Sequence, residues 1–127
     1  IKQEAFMFND IVKIDYVPEN AKGENPQFSG KVIMRVPHQF ERFKIMKEFG
    51  LKIKGKKVEV EKDNFEQVME IAKIAHSHFV ESELIDLETS KPVSETDIFY
   101  PVSGDNKWLD LTLNMGKFIL ELCIGKK

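Results

Sequence analysis

Residues 108–124 are apolar on two sides of a helix, and that constrains the fold of this chain more than any other feature. At helical spacing Trp108, Leu111, Met115, Phe118, Ile119 and Leu122 form one face, while Leu109, Leu113, Gly116, Leu120 and Ile124 line another. A helix lying on one sheet needs a single apolar face about 100° wide, so a helix with two must bury both. Either it runs through the centre of the domain, or a protein partner or second copy covers the outer stripe. Under the second arrangement the candidate interface is Trp108, Leu109, Leu111, Leu113, Met115, Phe118 and Leu120; under the first the same side chains are core. Gly116, between Leu113 and Leu120, either lets another helix approach closely or is an ordinary weak point costing about 1 kcal/mol relative to alanine. The 127 residues fit a single globular domain spanning 1–127, because domains cluster near about 100–150 residues.

Upstream the hydrophobic period varies. Residues 11–17 alternate, with Val12, Ile14 and Tyr16 on one face and Lys13 and Asp15 on the other, which predicts a strand. Pro18, Asn20, Gly23, Asn25 and Pro26 make 18–27 a loop, and residues 31–36 alternate again until Pro37 ends the second strand. From His38 to Phe49 the spacing becomes three or four, through Phe40, Phe43, Ile45 or Met46, and Phe49, predicting an amphipathic helix stopped by Gly50. Residues 51–60 read as a short hairpin turning at Gly55. Asp63 or Asn64 caps a helix over 65–79 with the stripe Phe65, Val68 or Met69, Ala72, Ala75 or His76, and Phe79. Leu84, Ile85 and Leu87 suit a short strand within 80–87, followed by a turn at 88–92. Ser94 with Asp97 is a variant capping box opening a turn or two of helix before Pro101. The sum is an α+β fold, a small antiparallel sheet or set of hairpins packed against two central helices and the apolar C-terminal helix.

Chemistry leaves fewer marks. Cys123 is the one cysteine, so an internal disulfide or a thiolate-built zinc site is excluded, and its apolar surroundings suit an inert thiol. No nucleophile elbow, phosphate-binding loop or dinucleotide glycine pattern occurs. His76 and His78, with Glu81 and Glu83 nearby, are the residue types of a divalent-metal site. On a helix, however, the two imidazoles point about 200° apart, and His76 falls on the apolar side as a structural histidine. His38 follows Pro37 as a surface cap. No catalytic residue, cofactor or metal is therefore expected. A net charge of -2 argues against nucleic acid, although Lys44, Lys47, Lys52, Lys54, Lys56 and Lys57 cluster ahead of an acidic segment, 81–105. The stretch 118–124 is far shorter than the ~20 apolar residues of a membrane span and contains Glu121. Without disulfide logic or an export pattern at Ile1-Lys2-Gln3-Glu4, a cytoplasmic location is the expectation.

The run Gly30-Lys31-Val32-Ile33-Met34-Arg35-Val36-Pro37, followed by a helix with Phe40-Glu41-Arg42-Phe43, resembles the small tail-assembly chaperones of tailed bacteriophages. Several of those proteins run from a Gly-Lys-Val strand with an outward Arg, through a Pro, into a helix with a Glu-Arg pair. The similarity continues loosely through Phe65 to Phe79, Val80-Glu81-Ser82, Ser94-Glu95-Thr96-Asp97 and the final apolar helix, covering residues 28–127. It implies a non-catalytic protein in the host bacterial cytoplasm that coats the tape-measure protein, helps recruit tail-tube subunits, and commonly self-associates. Trp108, Leu111, Met115 and Phe118 are then the expected anchors for a helical client, since aromatic and Met side chains bury large areas and adapt in shape.

Two other classes remain open at this level. A regulatory or inhibitory binding module would dock a basic partner on the acidic segment 81–97, with a salt-dependent association rate. A small metal protein or enzyme would use His76, His78 and the nearby carboxylates.

Overall fold

In a computed structural model that describes residues 11–50 and 64–125, four antiparallel strands form one sheet in the order β1-β2-β3-β4. These are β1 (Lys13–Tyr16), β2 (Phe28–Arg35), β3 (Phe79–Asp86) and β4 (Lys91–Pro92). Helices α1 (Gln39–Phe49) and α2 (Phe65–Ser77) separate β2 from β3, and α3 (Glu95–Phe99) and α4 (Asn106–Cys123) follow β4. The architecture is the α+β arrangement that the changing periodicity predicts. The expected hairpin over 51–60 and its lysine cluster lie outside the described residues.

The sheet has one wet face and one dry face, as alternation requires of an antiparallel sheet covered on one side. Phe28, Val32, Met34 and Leu84 are buried on the inner face. Outside, Lys31 sits between Asp15 at 2.9 Å and Glu83 at 3.9 Å, a solvated charge ladder across β1, β2 and β3. Strand β2 starts at Phe28, three residues earlier than the alternation of 31–36 suggests. Gly30 hides the continuation, because it breaks the alternation with an exposed position at φ 106°, where a Cβ would run into the Glu83 carbonyl. Beyond it, Ile33 pairs with Glu81 and Met34 with Phe79, so Val80 is the extra residue of a bulge.

Helix α4 settles the question its sequence poses. Phe118 stacks on Tyr16 of β1 with ring centroids 4.3 Å apart, and Trp108 meets Phe28 of β2 at 5.3 Å, so one side of α4 lies on the sheet. Its other side takes α2, with Gly116 directly against Ile71. The helix is thus enclosed between two layers, and apart from Leu109 at its start the second stripe is core, as is most of the first. This corrects the interface reading for Leu111, Leu113, Met115 and Leu120, none of which is more than 5 % exposed. At Gly116 a Cβ would lie 2.5 Å from the Ile71 carbonyl oxygen, which belongs to backbone and cannot swing away. Gly116→Ala is therefore expected to lower stability by about 1–3 kcal/mol through overpacking, despite alanine's better helix propensity, as read by urea denaturation.

The first two helices start where the sequence indicates, but α2 stops at Ser77, two residues short of the expected 79, so that Phe79 opens β3, and both helices turn different faces inward. Asn64 accepts the Gln67 N–H at 3.1 Å as the α2 cap, and α1 ends at Gly50. Phe40 and Phe65, expected inside, are 80 % and 82 % exposed, while Ile45, Ile71, Ile74 and Ala75 are buried. Polar anchors rotate α1. Both Glu41 carboxylate oxygens accept from Arg35, at 2.7 and 3.0 Å, and Arg42 Nη2 donates to the Cys123 carbonyl at 3.4 Å. Those bonds fix the Glu41–Arg42 side of the helix against the body and leave Phe40 and Phe43 outward.

Candidate functional site: a groove at the start of the last helix

The short helix α3 opens as its capping box dictates, with Asp97 N–H donating to Ser94 Oγ at 3.2 Å and Ser94 N–H to Asp97 Oδ2 at 3.0 Å. Pro101 follows the end of α3, and the chain must turn before α4 can begin. Residues 100–106 make that turn on the surface. Tyr100 and Val102 are exposed there, and the Asp105 N–H bonds back to Ser103 Oγ at 3.4 Å. Asp105 occupies the N-cap position of α4 without using its side chain as a cap.

Two open cavities of about 300 and 320 Å³ adjoin this turn and share Pro101, Ser103, Asp105 and Trp108 as walls. The first is mostly apolar, with Ala72, Ile98, Phe99, Leu109 and Thr112. The second is acidic, with Asp86, Glu88 and Asp97 around Lys107. Lys107 is buried, and its ammonium donates to Asp86 at 3.0 and 3.1 Å and to Glu88 at 2.8 Å. Burial on its own would depress the Lys107 pKa, but the hydrogen bonds and charges of Glu88 and Asp86 outweigh it and raise the pKa above the ordinary lysine value. The same ammonium lies 5.2 Å from the Trp108 ring centroid, which stiffens the wall between the cavities. Asn20 Nδ2 donates to the Lys107 carbonyl at 3.2 Å and ties the start of α4 to the β1–β2 connection. The only ammonium in the acidic cavity is thereby spent on Asp86 and Glu88, leaving Asp97 and Asp105 as the negative rim.

Of the seven interface candidates, the groove collects two. Trp108 is half-buried in both cavity walls, and Leu109 is 39 % exposed at the apolar end. Phe118 is half-buried against Tyr16, and the other four are core. The groove itself escaped sequence reading because it is made by a turn between helices. One signal did exist: Asp86 follows Leu84 at inward strand spacing, and an acid at such a position demands a cation.

The remaining chemical groups do not converge. His76, expected on the apolar side, is exposed, bonded to Glu95 at 3.0 Å and packed on the Phe99 ring, whereas His78 is interior. Glu81 and Glu83 lie on the outer sheet face, and among the described residues no group of three or more His, Cys, Asp or Glu side chains is placed to hold a metal ion. Cys123 is buried, and that burial pushes its thiol up to about 11. It is expected to resist a thiol reagent at pH 8 in the native protein and to react on addition of denaturant; prompt native-state labelling would contradict its enclosure. No helix among the described residues is long and apolar enough to cross a membrane.

Set against protein-family models, curated proteins and solved structures, the chain matches none.

Proposed function

We propose that this chain is a non-enzymatic binding protein of the tail-assembly chaperone kind, which covers apolar segments of a long helical client in the host bacterial cytoplasm until assembly encloses them. The observation that carries the reading is the groove around Trp108. Its apolar end, formed by Phe99, Trp108 and Leu109, suits one or two large aliphatic side chains of a client helix, and Val102, exposed on the same turn, lines the acidic cavity beside it. Asp97 and Asp105 favour a client with lysine or arginine beside the apolar stripe, and they disfavour acidic segments. The anchors are therefore Trp108 and Leu109 with the exposed turn, in place of the buried Leu111 and Met115. Self-association belongs to the same proposal and uses outward apolar side chains such as Phe40 and Phe65, since both stripes of α4 are occupied within the chain.

The acidic rim also suits the regulatory-module reading, in which a basic partner docks by charge. The two differ in what breaks binding. Co-expression with the tape-measure and tail-tube proteins of one phage genome, followed by co-purification, tests the chaperone reading. Val102→Glu with Leu109→Lys is expected to abolish co-purification while circular dichroism stays unchanged. Retention of the client by that variant, together with its loss in Asp97→Asn/Asp105→Asn at low salt, would transfer support to the charge-docking module.

A further inference from the structure

His78 ends α2 and leads into β3, and only 3 % of its surface is exposed. Its Nδ1 lies 2.8 Å from the Ile74 carbonyl oxygen and 3.0 Å from Ser77 Oγ. A carbonyl can only accept, so Nδ1 carries the ring hydrogen, and the Ser77 hydroxyl donates to the same carbonyl at 3.1 Å. Nε2 is left as a bare lone pair, buried and without a hydrogen-bond partner among the described residues. The residue is also a junction of the backbone. Its carbonyl accepts the Arg35 N–H at 2.7 Å, and its N–H reaches the Ile74 and Ala75 carbonyls at 3.2 and 3.3 Å.

Among the described residues three titratable or charged groups face the ring: Arg35 and His38 disfavour a second proton, and Glu41 favours it. Arg35 approaches from β2, and its guanidinium spans both oxygens of Glu41 and the Ser77 carbonyl, at 3.3 Å for the latter. His38 and Glu41 face it from the start of α1, while His76 on its own helix turns away to Glu95. A hydrogen added to Nε2 would be a buried cationic donor for which the described residues supply no acceptor, beside a guanidinium that already engages both oxygens of Glu41.

We propose that His78 is an acid-sensitive catch, whose protonation at Nε2 releases the corner between α2 and β3 and, through Arg35, the seat of α1. This device is independent of what the groove binds. Burial holds His78 below its ordinary imidazole value, with the Arg35 charge acting in the same direction and the Ile74 bond opposing. Because the folded value lies below the unfolded one, the neutral ring contributes its full stabilisation above about pH 6.5 and loses it as the pH falls below that point. Glu41 acts in a different window. Its bond to Arg35 holds it down to about 2, so its contribution fades only as the pH drops from the ordinary carboxylate range toward 2.

Two measurements on the intact chain test the catch. Nitrogen-detected histidine resonances, followed from pH 8 to 5, are expected to show His78 keeping its neutral Nδ1–H form well below pH 6.5. In parallel, the folded-to-unfolded ratio from urea titration is expected to fall by up to about tenfold for each pH unit below 6.5, with faster amide exchange at Arg35 and His78. His78→Asn, which keeps a donor for Ile74 but cannot charge, is expected to lose that dependence between pH 7 and 5. Titration of His78 at or above the ordinary imidazole value would overturn the proposal, as would an equal pH dependence in His78→Asn. If His78→Asn fails to fold, the wild-type histidine resonances decide alone.

Discussion

Leu113→Lys combined with Leu120→Lys is expected to unfold the chain. Both leucines are core residues, 5 % and 0 % exposed, on the side of α4 that is closed over within the chain. Each substitution removes an aliphatic side chain worth about 2 kcal/mol of burial and places an ammonium where the described residues offer no acceptor built to receive it. An effective penalty of several kcal/mol per buried ion, taken twice, is comparable with the about 5–15 kcal/mol that holds a domain folded. Far-ultraviolet circular dichroism should lose most of its helical signal at 25 °C. A variant that kept its helices and changed only its oligomeric state would mean that the second stripe is an interface, and the enclosed position of α4 would be wrong.

Lys107→Ala is expected to be the most damaging single change of a charged residue. It leaves Asp86, 6 % exposed, facing a void instead of an ammonium, with the Glu88 N–H, at 2.9 Å, as the remaining donor to its carboxylate among the described residues. Breaking a buried pair from one side typically costs about 3–5 kcal/mol, and Glu88 at the solvent edge places this site toward the lower end. Asp86→Asn/Lys107→Met removes both charges and should recover most of the loss, which a double-mutant cycle in urea would read directly. The pH dependence has the opposite sign to that of a carboxylate. A raised lysine pKa stabilises below the ordinary lysine range, and that contribution disappears as the pH rises through the folded value, so wild type should lose more stability than the double variant at strongly alkaline pH. An unaltered urea midpoint for Lys107→Ala would show that the pair is solvated.

Much of this fold could be read before the structure because its local signals agree with one another. Asn64 caps α2, Ser94 and Asp97 close their box on α3, and Gly50 stops α1, each by an interaction reaching no more than four residues along the chain. Periodicity also located α4 and its two buried sides. What failed were choices that depend on distant partners. Phe40 and Phe43 made the more apolar stripe of α1, yet Arg35, on another element, drew Glu41 inward and turned them out. His76 left the apolar side for a related reason: it found Glu95 and Phe99 on α3, while His78 ended α2 facing the interior. The groove was least legible of all, since it depends on how a turn without periodicity sits beside Asp86 and Trp108.

Trp108 is the only tryptophan in the chain and forms a wall of both cavities, so its emission reports on the groove alone. The most direct test of the proposed binding role is to titrate the protein with a 15-residue helical peptide carrying leucines along one face and lysines beside them, and again with glutamates replacing the lysines. The account predicts a saturable blue shift of Trp108 emission with the lysine peptide, weakened by salt and lost in Val102→Glu/Leu109→Lys, and at least tenfold weaker binding of the glutamate peptide. Unchanged Trp108 emission at saturating lysine peptide, or equal affinity for the two peptides, would contradict it.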